Sequence, residues 1–260
     1  MRSLTAVWRL LRGLWHGLVG MWTIYLRFPQ LTPEQREMRV QAWALKLLAI
    51  WGIHVRVLGQ PLIVGPAMLV SNHISWLDIL VIHAARHCRF VSKSDIREWP
   101  LVGMLATGAG TLYIERTSRK DALRMVRDMA NAMRDGDVVA VFPEGTTSDG
   151  RDLLPFHANL IQAAIDVQAP IQPLSLKFMD VPSGLPSFAP CYIGDDTLIG
   201  SMWRTLKARR IEAVLHFGQP QDAMGRDRRA WAQDLRQDII DLRDADVPAQ
   251  AKNSRSLRQA

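Results

Sequence analysis

AMLVSNHISWLD, residues 67–78, runs from an unbroken apolar stretch through the polar pair Asn72 and His73 into the first turn of another apolar segment. A short apolar run of this kind, bounded by polar residues, reads as a strand buried on both faces. The same grammar recurs along the chain. Strands are expected at 67–70, 90–92, 111–114, 138–142, 171–176 and 211–217, with helices at 76–85, 96–106, 120–134, 158–167 and 228–243. Alternating strands and helices predict an α/β fold, a mostly parallel sheet covered by helices. Ligands of such a sheet gather beyond the carboxyl ends of its strands. The residues just after each apolar run are therefore where chemistry is expected.

Those residues are polar. Ser71, Asn72 and His73 follow the first run; Lys93 follows the second; Glu115, Arg116, Thr117 and Ser118 follow the third; Glu144 to Ser148 follow the fourth. If the strands are parallel, one edge collects a histidine, carboxylates, two cations and several hydroxyls. Asp78 has two readings. As the third residue after Ser75 it suits a helix start, where a capping partner and the helix dipole favour an acid. It also has the spacing to reach back to Nδ1 of His73 and fix the tautomer, leaving Nε2 to take a proton. A neutral histidine near pH 7 suits proton abstraction from a hydroxyl. The residues alone leave both readings open.

His73 and Asp78, four residues between them, resemble the His-Asp signature of the glycerolipid (PlsC-like) acyltransferase family. GTLYIER at 110–116 is similar to that family's second motif, FPEGT at 142–146 to its third and APIQP at 169–173 to its fourth. The four stand in order over 72–174, and the bacterial 1-acyl-sn-glycerol-3-phosphate acyltransferases are the branch they most resemble. The resemblance implies that His73 and Asp78 are the catalytic pair and that Arg116 holds an acceptor phosphate. Glu144 and Gly145 would shape the acceptor site, and Thr146 and Thr147, next in the same loop, are counted as substrate-binding with them. Lys93 joins this set from its position after a strand, not from the resemblance. The implied reaction moves a fatty acyl group from acyl-CoA or acyl carrier protein to a lysolipid hydroxyl, with no cofactor and no metal. Phosphatidate-forming relatives usually carry Arg where Thr147 stands, and Lys-Gly after the later Phe; here Phe156 is followed by His157, Ala158 and Asn159. Lyso-ornithine lipid therefore stands beside lysophosphatidate as an acceptor.

The flanks extend the reading. Residues 1–58 are expected to form two membrane-associating helices, 59–247 the acyltransferase domain with its motif core at 67–180, and 248–260 a basic tail. Of nine tryptophans, Trp8, Trp15, Trp22, Trp43 and Trp51 lie in the first fifth of the chain, a residue type that favours the membrane interface. The uncharged run between Arg12 and Arg27 spans roughly 21 Å as a helix, short of the ~30 Å hydrocarbon core. An interfacial or re-entrant helix fits better than a span. The expected location is the cytoplasmic face of the bacterial inner membrane, monotopic or peripheral, with one N-terminal membrane helix left open. Thr32, Pro33 and Gln35 mark a capped second helix that Gly52 ends.

A net charge of +7 favours acidic partners, here an anionic membrane surface. No nucleic-acid-binding signature accompanies the charge, and nucleic acid is not an expected partner. Cys88 and Cys191 form no disulfide framework. His83 and His87 have a zinc-compatible spacing without the acidic companions of a catalytic site, and read instead as residues favoured at a helix C-terminus. A membrane-binding protein without catalysis, built on the same scaffold, is the rival from another class.

Overall fold

The computed structural model describes residues 2–115 and 118–245; Arg116 and the basic tail lie outside the described residues. The chain enters through two helices, α1 (Arg2–Leu26) and α2 (Pro33–Trp51). Thr32 and Gln35 form the reciprocal capping box at the start of α2, and Gly52, at φ +73°, ends it in the left-handed conformation. The strands are β1 (Ile53–Leu58), β2 (Ala67–Ser71), β3 (Arg89–Lys93), β4 (Leu112–Ile114), β5 (Val138–Val141), β6 (Ile171–Asp180), β7 (Leu185–Pro186) and β8 (Ile211–Phe217). Between and after them come α3 (Leu77–Ala85), α4 (Val102–Gly108), α5 (Arg119–Arg134), α6 (Gln162–Val167), α7 (Leu198–Lys207) and α8 (Arg228–Ala245).

The sheet order is β1-β8-β6-β2-β5-β3-β4, with β7 folded back on β6. Five neighbours, β6 to β4 in that order, run parallel, as expected. β8 pairs antiparallel with β6 and parallel with β1, so these last two strands run the other way. Every residue of β2 and β5 is buried, the mark of central strands covered on both faces. Alternate β2 side chains serve different layers. Ala67 and Leu69 pack with α2, α3 and α7; Met68 and Val70 pack with α5, α6 and α8.

The structure departs from the local expectations at several points. The helix expected at 96–106 is split into a 3-10 turn, Ser94–Glu98, and α4. Pro100 is the reason: the residue before a proline is driven out of the helical region, and Trp99 is extended at ψ 125°. Residues 53–58, placed with the N-terminal helices, form the sheet's edge strand β1, so the helical unit ends at Trp51. α7 was not anticipated, although Thr197 caps it through the N–H of Gly200.

α1 is apolar on two faces. Its inner face carries Gly13 and Gly20, where an added Cβ would collide with Trp51 and Trp43, and Gly17, where it would press on Leu101 at 3.1 Å. Arg9 donates to the carbonyls of Leu206 and Ala208 at 2.9 and 3.0 Å, holding α1 to the end of α7. Its outer face leaves Trp8, Trp15 and Trp22 at 61, 69 and 56% exposure, in a stripe with Leu4, Leu11, Leu18 and Tyr25. Among the described residues, no helix is long and apolar enough to cross a membrane.

Candidate active site

Parallel pairing of β2 with β5 sets Val70 beside Val141. The residues leaving these strands, Asn72-His73 and Phe142 to Ser148, therefore emerge side by side at the carboxyl edge. Asn72 is buried and continues the sheet with its side chain. Its Nδ2 donates to the Leu176 carbonyl at 2.9 Å and its Oδ1 accepts from the Leu176 N–H at 2.8 Å. That amide pairing fixes the chain direction just before His73.

His73 Nδ1 lies 2.7 Å from Asp78 Oδ2. The same oxygen accepts the backbone N–H groups of Ile74 and Ser75 at 2.7 and 2.9 Å. The two readings left open in sequence thus meet on one atom: Asp78 satisfies the helix start and orients the histidine together. Ser75 is not the cap residue itself. Trp76 occupies that place without a side-chain bond, while Ser75 Oγ accepts from the Leu77 N–H at 3.2 Å. Asp78 is fully buried, whereas the His73 side chain keeps 20% exposure. With Nδ1–H given to Asp78, Nε2 is the ring nitrogen left for a substrate.

The loop after β5 grips His73 from both sides. Glu144 Oε1 accepts the His73 N–H at 2.8 Å, and its Oε2 accepts the Leu154 N–H at 2.8 Å. Ser148 N–H donates to the His73 carbonyl at 2.9 Å. Burial pushes the Glu144 carboxyl above the usual carboxylate range, and the Leu154 and His73 N–H groups oppose that shift. Glu144 therefore acts on the site by bracing the backbone of the base. Phe142 stacks face to face on the His73 ring, with centroids 4.0 Å apart and planes 10° apart. Phe142 and Ser148 had no assigned role in the sequence reading; their distance along the chain from His73 hides the contact.

Gly145, at φ +72°, is exposed, and a Cβ there would come within 2.9 Å of the His157 ring. A side chain at 145 would be strained twice, by its backbone and by that ring. Thr146 is exposed beside it. Thr147 is half-buried, its hydroxyl donating to the Tyr192 carbonyl. Lys93 ends β3 one strand beyond β5, exposed and without an ion pair among the described residues. Arg116 lies outside the described residues, so its assignment rests on the motif.

The secondary candidates resolve differently. His83 is buried against His87 and Phe90, and burial pushes it down to about 3. It is therefore uncharged, and attraction to the helix dipole does not explain its place at the end of α3. Among the described residues no group of three His, Cys, Asp or Glu is arranged to hold a metal. Burial pushes the thiols of Cys88 and Cys191 up to about 12 and about 11, far from the thiolate a nucleophile needs.

Comparison with known proteins places the chain in a family. Residues 54–177 match the Acyltransferase family. The lyso-ornithine lipid O-acyltransferase of Pseudomonas aeruginosa is 32% identical over 225 residues, 86% of this chain and 85% of that protein. A 1-acyl-sn-glycerol-3-phosphate acyltransferase of Neisseria gonorrhoeae is 34% identical over 193 residues, 74% of each chain. The crystal structure of the 1-acyl-sn-glycerophosphate acyltransferase PlsC from Thermotoga maritima aligns with a TM-score of 0.62 at 16% identity, covering 93% of this chain and 97% of that one. At that identity the likeness speaks for the fold.

Proposed function

Because this chain belongs to the Acyltransferase family, we propose that it acylates the sn-2 hydroxyl of 1-acyl-glycerol-3-phosphate, forming phosphatidic acid for phospholipid biosynthesis. The donor is an acyl thioester, acyl-CoA or acyl carrier protein, entering as a substrate; no cofactor takes part. The observation that carries the reading is the buried, triply hydrogen-bonded Asp78 oxygen holding the partly exposed imidazole of His73. Nε2 takes the proton of the acceptor hydroxyl as its oxygen attacks the thioester carbonyl. The C–S bond then breaks, and the departing thiolate recovers the proton from the imidazolium. Asp78, itself fully buried, stabilises that imidazolium, and the Phe142 face adds a cation–π contribution. In this reading transfer is direct, and neither buried thiol carries the acyl group.

A second acceptor, lyso-ornithine lipid, is favoured by one observation. The Thr147 hydroxyl is committed to the Tyr192 carbonyl, at the position where phosphatidate-forming relatives usually carry an arginine, a side chain suited to an anion. Steady-state kinetics of wild type, Arg116→Ala and Thr147→Arg on both lysolipids separate the readings. A hydrogen bond to a charged group contributes about 1.5–3 kcal/mol, so Arg116→Ala should raise the apparent KM for lysophosphatidate roughly 10- to 150-fold. The ornithine acceptor should suffer less, and Thr147→Arg should improve lysophosphatidate use. Strong wild-type preference for the ornithine acceptor, with Arg116→Ala weakening both alike, would overturn the phosphatidate assignment and leave acyl transfer standing.

The same reading seats the enzyme on the cytoplasmic face of the bacterial inner membrane, its α1 stripe in the headgroup region. Deleting residues 1–28 would strip the glycine face of α1 from Trp43 and Trp51 and confuse folding with binding. Trp8→Glu/Trp15→Glu/Trp22→Glu changes exposed side chains only. Flotation with liposomes should show this variant shifting to the soluble fraction with its far-UV circular dichroism unchanged. Undiminished flotation would move the membrane contact elsewhere.

A further inference from the structure

The outer face of α5 carries cations that the site described above does not use. Lys120, Arg124, Arg127 and Arg134 recur with Asn131 at helical spacing, and all five are exposed. They lie along one stripe of about 21 Å at 1.5 Å per residue. Lys120, Arg124 and Arg127 make no ion pair with a described residue. Leu123 stands at the edge of the stripe with 65% of its surface exposed. The opposite face, Met125, Met129 and Met133, is buried on the sheet, which fixes the direction in which the cations point.

The position of this stripe limits what can bind it. α5 begins just beyond the carboxyl end of β4, the sheet edge that holds His73, and runs back toward the start of β5. Lys120, Leu123 and Arg124 are therefore at the end of α5 nearer the site. α5 also packs with α6 and α8, across the sheet from the layer that α1 joins through Ala6. The basic stripe and the apolar α1 stripe thus lie on different layers, which favours a soluble acidic partner over the bilayer for α5.

We propose that the outer face of α5 docks the acidic surface of acyl carrier protein, with Lys120, Arg124 and Arg127 as the cationic contacts and Leu123 as the apolar one. The inference rests on the acyl-transfer reading and names its donor. Complementary charge raises the encounter rate and orients the partner, and docking at the near end of α5 lets the carrier's flexible thioester arm enter toward His73. A cluster of this kind acts over roughly a Debye length, about 8 Å at physiological salt, so its contribution should fade as salt rises.

The test compares two donors of the same acyl chain, acyl carrier protein and coenzyme A, on full-length enzyme with a lysolipid acceptor. In Lys120→Glu/Arg124→Glu/Arg127→Glu, kcat/KM with acyl carrier protein should fall at least about tenfold, and the salt dependence of the wild type should vanish. With acyl-CoA the change should stay within about twofold. The corresponding triple alanine variant, which adds no repulsion, should give a smaller loss of the same selectivity and serves if charge reversal impairs folding. Equal effects on both donors, no effect on either, or a wild type that uses acyl-CoA alone overturns the inference. Loss of liposome flotation without donor selectivity also overturns it and assigns the stripe to the bilayer. A wild type that transfers from neither donor overturns the acyl-transfer reading itself, an outcome distinct from all the others.

Discussion

His73→Ala is expected to lower acyl transfer by at least about 10²-fold, the scale of losing a positioned general base, while the protein stays folded. The geometry supplies both halves of that expectation. Nε2 is the one ring nitrogen not engaged by Asp78, so no other described group at the pair can take the proton in its place. Without the ring, Asp78 Oδ2 still accepts the N–H groups of Ile74 and Ser75, and the start of α3 keeps its partner. The backbone of residue 73 stays held by Glu144 and Ser148. The loss should therefore appear in kcat, with liposome flotation and thermal unfolding close to wild type. Turnover near the wild-type level would sink the general-base mechanism.

Glu144→Gln should give the other large effect, although Glu144 touches no reacting atom in the proposed step. Its two oxygens accept two separate backbone N–H groups, those of His73 and Leu154, at 2.8 Å each. A glutamine has one oxygen and one NH2, so one N–H must face another donor. Leaving a buried donor unpaired costs about 1–3 kcal/mol, and the strain falls on the residue that carries the base. Displacing a catalytic group by about 1 Å can cost on the order of 10²-fold in rate. We expect a fall in kcat of that order, a modest loss of thermal stability and little change in KM for either substrate. The KM–kcat split is the discriminating measurement. A variant with raised acceptor KM and unchanged kcat would show that Glu144 serves the headgroup instead of the base.

What the sequence by itself determined is local. The capping box of α2, the left-handed Gly52, the strand-to-loop exits and the five-residue step from His73 to Asp78 all concern neighbours within a turn or two. Such contacts are dictated by residue type and helical or extended period, and are legible in the residues themselves. The choice between Asp78 as helix-start acid and Asp78 as orienter was undecidable there, because both uses need the same spacing. The tertiary structure assigned both to one oxygen. Glu144 under His73, Phe142 on its ring and Thr147 on Tyr192 are contacts between residues far apart in the chain. They exist because β2 lies beside β5 and because the segment leading to α7 returns over the site. The reversed direction of β8 and the glycine face of α1 belong to the same class. Period and capping report what each segment buries, but not which segment lies next to it. That choice is made by packing all the apolar faces at once, and only the folded chain carries it out.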